Sequence, residues 1–309
     1  MAIYDQSYRR WEGDRNRSVQ CTTVIVEAGI RAASTAFFRR KFPAMILTLS
    51  SFALFLFGLV VIFMRHYALT TPDTLPEELV TILTDREFVE GTSPSGSTIF
   101  FYFTAAQMVF VAWACLLMGS GLVANDRRTN ALELYLSRPM TVMQYVMGKL
   151  LVVCFFVALV SLVPAVILIL VQLLVSVDSA TEVTRLLDLL CRTVVGGGVY
   201  VLVPSLLMLT ASSMAEKARN AAVMWLGLLF LTDVIAANVL VEIFGNESFA
   251  LFSFRFNLEQ CLAAILRPSE MVWTSSDVAT WKSALVLGAW MFLCVRTLRR
   301  RIRPVEIVA

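Results

Sequence analysis

Six long apolar runs constrain this chain more than anything else in it: residues 42–64, 99–124, 145–175, 189–212, 221–243 and 279–295. Crossing about 30 Å of hydrocarbon takes roughly 20 mostly apolar residues, and each run meets or approaches that length. The last and shortest carries Lys282 near one end, where its ammonium can reach the interface. Inside lipid every backbone polar group must be satisfied internally, which leaves helices or a closed barrel. The alternating pattern of a membrane barrel is absent. The expected fold is therefore all-α, a polytopic membrane protein with six transmembrane helices. Of 309 residues, 58% are hydrophobic and 16% charged, against about 45–50% and about 25% in soluble domains. That balance excludes a disordered chain, a disulfide-stapled secreted mini-protein and a nucleic-acid-binding module.

Three parts follow: an N-terminal segment (1–41), the six-helix membrane domain (42–295) and a basic tail (296–309). The formal net charge is only +3, but the positive charge is unevenly placed. Nineteen of the 26 basic residues precede the first run, follow the second, lie between the fourth and fifth, or follow the sixth. The opposite side holds most of the acids, including Asp73, Glu77, Glu78, Asp85, Glu87 and Glu90. Basic loops stay on the inner side, so both termini are expected in the cytoplasm. No short apolar region precedes a small-residue cleavage site, as a signal peptide would require. Residues 23–41 read as an interfacial helix or as a plain positive flank of the first span. Glu27 and Arg31 stand one turn apart, and Arg39, Arg40 and Lys41 suit anionic headgroups.

Several chemistries are disfavoured. None of the six cysteines forms a C-x-x-C pair, so no zinc or redox motif is supported. A bridge between Cys191 and Cys261 is open on topology alone. His66 is the only histidine, which leaves an intramembrane metalloprotease without its second ligand. Gly196, Gly197 and Gly198 lack the following lysine of a phosphate loop and suit close helix packing instead. No catalytic residue, metal or cofactor is expected.

The loop between the second and third runs is the most informative segment. From Asp126 it reads Asp-Arg-Arg-Thr-Asn-Ala-Leu-Glu-Leu-Tyr-Leu-Ser-Arg-Pro. Asn130 with Glu133 forms an expected capping box. Leu132, Tyr135 and Leu136 then share one face of a short amphipathic helix, and Pro139 ends it after Arg138. A second box, Thr141 with Gln144, opens the third span. Asp126, Arg127, Arg128, Glu133 and Arg138 offer ion pairs at a rim around the apolar face, the layout of a docking surface. A plain helical connector fits the same residues.

This run, with Tyr145, Gly148 and Lys149 after it, resembles the signature of bacterial ABC-2-type transporter permeases. The matching positions are Asp126, Arg127, Leu132, Leu134, Leu136, Pro139, Gly148 and Lys149; Asn130-Ala131 stands where many members have Gly-Thr. The resemblance covers nearly the whole chain. It implies a permease subunit of an ATP-binding-cassette exporter in the bacterial inner membrane, with no ATP site of its own. It also implies two copies of a separate ATPase subunit, a second permease copy or homologue, and membrane lipids as surroundings. The loop would be the coupling helix that docks on the ATPase.

Inside the spans, Asp233 is the one deep acid, and intramembrane acids face protein or water. Its expected partners are Thr232, Asn238 or a serine of another helix. Pro164 and Pro204 each remove a helical hydrogen bond. These three are the candidate pathway residues. Residues 249–266 are apolar but carry Arg255, Asn257 and Glu259, so a re-entrant or interfacial helix fits better than a span. The competing functions are an intramembrane lipid-modifying enzyme, which needs polar residues clustered at one depth, and an ion-coupled carrier.

Overall fold

The computed structural model describes residues 18–39, 41–71, 76, 97–131, 135, 141–175, 180–268 and 278–302. Helix is the only regular structure among them. Eight helical elements organise the molecule: α1 (Ser18–Arg39), α2 (Lys41–Thr70), α3 (Ser97–Arg128), α4 (Val142–Val175), α5 (Ala180–Met214), α6 (Ala218–Phe244), α7 (Phe254–Leu266) and α8 (Thr280–Arg301). Six of them, all but α1 and α7, contain stretches long and apolar enough to cross a membrane. The protein is an all-α, multi-pass membrane protein.

The helices outrun the apolar runs because polar flanks continue the helix beyond the hydrocarbon. Arg65 and His66 extend α2, and Arg296 to Arg301 extend α8. One end of the bundle gathers Arg127, Arg128, Lys217, Arg219 and Arg299 to Arg301. This basic end is opposed by a far end, where α2, α4 and α6 finish.

At the centre lies α5, mostly buried, with α3, α4, α6, α7 and α8 packed round it. Large apolar side chains on α2 and α6 instead point outward, among them Leu49, Phe57, Phe230 and Ile243. Water would penalise that surface at about 25 cal/mol per Å²; lipid does not. Several crossings depend on glycine. A Cβ at Gly29 of α1 would lie 2.6 Å from Val152 Cγ2, and one at Gly148 of α4 would lie 2.8 Å from Ile25 Cγ2. These small residues let α1 lie tight along the basic-end half of α4. Gly196 and Gly197 likewise admit Leu262 of α7 and Leu162 of α4.

Three spans are irregular: α3, which passes through a π-helix (Cys115–Gly119) and a turn at residues 120–123, and α4 and α6. The helix of α4 breaks at Ser161 (φ −112°, ψ −59°), with Val142–Val160 before it and Leu162–Val175 after. Pro164 has no N–H for the carbonyl four residues back, at Val160, which accounts for the break. By contrast Pro204 sits inside a continuous α5. In α6 the stretch Leu231–Leu240 is wound as a π-helix, a widened form frequent at functional sites.

After α6 the chain turns at Gly245 (φ 61°). It returns through a 3-10 helix (Glu247–Phe252) and rises again as α7. The tip, Ser253–Phe254, meets Thr232 and Asp233 and packs Phe254 on Trp225 at 6.4 Å. Asp233 lies roughly 15 Å along α6 from its far end, at about 1.5 Å per residue. The 249–266 segment is therefore re-entrant, with its α7 helix packed against α5, α8 and α3.

Candidate functional site

Two polar constellations stand out, one at each half of the bundle. At the basic end the last turn of α3 is clasped by α5. Ser212 Oγ accepts the N–H groups of Val123 and Ala124, each at 3.1 Å, and donates to the Ser120 carbonyl at 2.9 Å. This one hydroxyl satisfies backbone groups that the irregular turn leaves unpaired. Arg127 Nη1 donates to the Ser213 carbonyl at 2.6 Å, at the C-terminal end of α5 where a cation complements the helix dipole.

Next to this clasp, Asp126 faces α4. Lys149 Nζ and the Tyr145 hydroxyl both reach Asp126 Oδ2 at 2.7 Å. Lys149 is 6% exposed and Tyr145 fully buried. The ammonium also lies 5.7 Å and 5.6 Å from the ring centres of Tyr135 and Tyr145, whose rings are 5.7 Å apart. The ordinary objection to a buried lysine, desolvation without compensation, is met here by a carboxylate and two aromatic faces. Helix α4 is opened by the expected box: Thr141 Oγ1 accepts from Gln144 N–H, and Gln144 Oε1 accepts from Thr141 N–H.

The sequence expectations for this loop divide. Leu132, Glu133, Leu136, Arg138 and Pro139 lie outside the described residues. Asn130 does not adopt the extended backbone of an N-cap. It stands in the left-handed region (φ 55°), donates its N–H to the Arg127 carbonyl and closes the preceding turn, Ala124–Arg128. Asparagine is one of the few residues that takes this position readily. Asp126, Arg127 and Tyr135 were expected at an outward rim and apolar face; they turn inward, onto Lys149, Ser213 and Tyr145. Asn125, Arg128, Thr129 and Asn130 remain exposed.

In the far half, Asp233 is not alone. Ser253 Oγ donates to Asp233 Oδ1 at 3.0 Å, and Arg255 Nη1 lies 3.7 Å from Oδ2. Arg255 Nε donates to Glu259 Oε1 at 2.7 Å, so one guanidinium serves two carboxylates. Glu259 is 4% exposed. Of the expected partners of Asp233, a serine of another segment is the one its carboxylate bonds; Asn238 Nδ2 donates to the Asp233 carbonyl instead. The tip is fixed by its own caps: Ser253 Oγ accepts Phe256 N–H, and Asn257 Nδ2 donates to the Leu251 and Ser253 carbonyls.

Glu259 is a second deep acid, contrary to the sequence expectation that Asp233 is the only one. Polar residues do cluster at one depth, because the re-entrant tip delivers them. Of the two prolines expected in the pathway, Pro204 lies one helical turn beyond Tyr200, which faces this cluster, whereas Pro164 lies on α4 beside an apolar groove. Cys191 and Cys261 are not bridged. Among the described residues no group of three or more His, Cys, Asp and Glu could hold a metal ion. No family model matches the chain, and no curated protein matches it.

Proposed function

We propose that this chain is the permease subunit of an ATP-binding-cassette exporter of the ABC-2 type, working with a separate ATPase in the bacterial inner membrane. The observation that carries the reading is the meeting of Asp126 with Lys149 across the 127–141 segment. These are two of the positions on which the family resemblance rests. Their pairing joins the basic ends of α3 and α4 where the resemblance places the coupling element. A push on that element would reach both spans at once, and through Arg127 and Ser212 it would reach α5. The internal positions transmit; the outward ones, led by Arg128, would meet the ATPase at a rim of charge. The basic end is cytoplasmic in this reading, in line with the distribution of arginine and lysine. The subunit carries out no covalent chemistry of its own.

The polar cluster around Asp233 and Glu259 gives some support to an ion-coupled carrier, since such acids mark ion paths in transporters. One experiment separates the two. The chain is purified from its native membrane in lipid nanodiscs, and its co-purifying proteins are identified. The exporter reading expects an ATPase with a phosphate loop at one copy per permease chain, and nucleotide-dependent transport on reconstitution. Transport driven by an ion gradient with no nucleotide-hydrolysing partner would overturn it.

A further inference from the structure

The half of the bundle nearest the basic end carries an apolar groove of about 450 Å³, within the range of ligand pockets. Helices α1 to α4 each supply a wall: Phe38, Phe52, Met118 and Phe156 stand in it, and it runs past the break in α4, where Val160 and Pro164 line it. On α2 it extends from Leu47 to Phe55, about 12 Å at 1.5 Å per residue. Counted from Phe42, where the first apolar run starts, it reaches from roughly 8 to 20 Å into about 30 Å of hydrocarbon. That is the acyl-chain depth of the leaflet at the basic end.

The wall suits an apolar occupant. Two of its hydroxyls, on Ser34 and Thr48, already donate to carbonyls of their own helices, those of Arg31 and Ala44. Phe38 is 74% exposed and Phe52 56%, so the groove opens toward the bilayer. An unfilled apolar cleft forfeits dispersion contacts along its lining, and a hydrocarbon chain restores them.

Charge at the mouth selects the chain's headgroup. Arg39 directly follows Phe38 of the wall, and Lys41 opens α2 ahead of Leu47. Both are exposed, and neither joins an ion pair among the described residues. The nearby charges of α1 satisfy each other, Arg31 with Glu27, so the excess at the mouth is positive. Two unpaired cations at the interfacial end of an apolar slot complement an anionic head attached to a chain. A zwitterionic lipid would bring its own cation against them.

We infer that the groove is a binding site for one anionic phospholipid of the leaflet at the basic end. An acyl chain lies along Phe52, Phe55 and Phe156, and the phosphate meets Arg39 and Lys41. Seated there, the lipid joins α1 to α2 and α4. The inference is independent of any ATPase and of the exporter reading.

The test titrates the full-length protein, stripped of lipid in a non-ionic detergent, and counts bound lipid per chain by native mass spectrometry. The probes are dioleoylphosphatidylglycerol, dioleoylphosphatidylcholine and glycerol 3-phosphate, which has a phosphate and no chain. The expected result is saturable binding of one phosphatidylglycerol, about tenfold or more tighter than phosphatidylcholine, with no displacement by glycerol 3-phosphate. Arg39→Gln combined with Lys41→Gln should bring the affinity for phosphatidylglycerol down to that for phosphatidylcholine. Thr48→Trp fills the groove from an exposed position and should weaken both lipids about tenfold or more. Ser51→Phe fills it from the next turn of α2 and replaces Thr48→Trp if that variant is not monodisperse. Arg219→Gln removes an exposed cation at the same end but outside the groove, and should bind as the unaltered protein does. Equal affinity for the two lipids, displacement by glycerol 3-phosphate, or full affinity in the charge variant or the filled groove would overturn the inference. So would a lipid-free dimer that Thr48→Trp splits, which would seat a second copy of the chain there instead.

Discussion

Removing the charge of Lys149 should cost more than removing both charges of its ion pair. In Lys149→Met, Asp126 keeps only the Tyr145 hydroxyl and stays 17% exposed beneath the packed ends of α3 and α4. Breaking a buried pair by deleting one partner costs about 3–5 kcal/mol. The residual solvent access of Asp126 and its remaining bond set the expectation at the lower bound, about 3 kcal/mol. The lost stacking of the ammonium on two tyrosine rings adds about 0.5–1 kcal/mol. In the double variant Asp126→Asn with Lys149→Met, no charge is stranded, the amide accepts from Tyr145, and the cost falls to about 1 kcal/mol. The coupling energy is then at least about 2 kcal/mol. Cys115 and Cys294 are free and buried, so a thiol-reactive fluorophore reports unfolding in detergent; the exposed Cys191 is replaced by serine in every variant to lower the background. Denaturant midpoints of the four proteins close the cycle. A single variant within 1 kcal/mol of the parent, or strictly additive costs, would show that the pair is not the internal tie described above.

Three further outcomes are expected. Ser212→Ala strands two N–H groups of the α3 turn and should destabilise by about 2–3 kcal/mol, whereas Ser213→Ala, which leaves the carbonyl that Arg127 uses, should cost under about 1 kcal/mol in the same assay. Gly148→Val forces a branched side chain into Ile25, so α1 should lift from α4 and become sensitive to limited proteolysis in nanodiscs while α4 to α8 stay protected. Arg128→Glu, at an exposed position, should leave stability unchanged within about 0.5 kcal/mol and lower the yield of co-purified ATPase; an unchanged yield counts against a docking role for this rim.

The number and order of the spans were legible because apolar length alone decides them. So was the re-entrant segment: Arg255, Asn257 and Glu259 spoil a span while leaving an apolar helix, and the fold buries Asn257 and Glu259 and leaves the Arg255 side chain 43% exposed. The second capping box was legible because both partners are local. What failed was non-local or depended on hydrogen-bond register. Nothing in the apolar composition of Leu231–Leu240 encodes a π-helix rather than an α-helix. The meeting of Asp233 with Glu259 requires a chain reversal that no local pattern specifies. Asn130 carries both an N-cap and a left-handed preference, and context chose the second. Asp126 and Tyr135 look like surface residues by type; only the position of Lys149 on the neighbouring helix shows that they point inward.

The break at Ser161 gives α4 two anchorages. Its first piece is sutured to Asp126 and α1; its second leans on α5 through Leu162 and Gly197. Between them the helical ladder lacks the donor of Pro164 but keeps the Ser161 N–H to Val157 and Ala165 N–H to Ser161 bonds. The third membrane crossing is therefore two short struts sharing a knuckle, and both struts rest on α5.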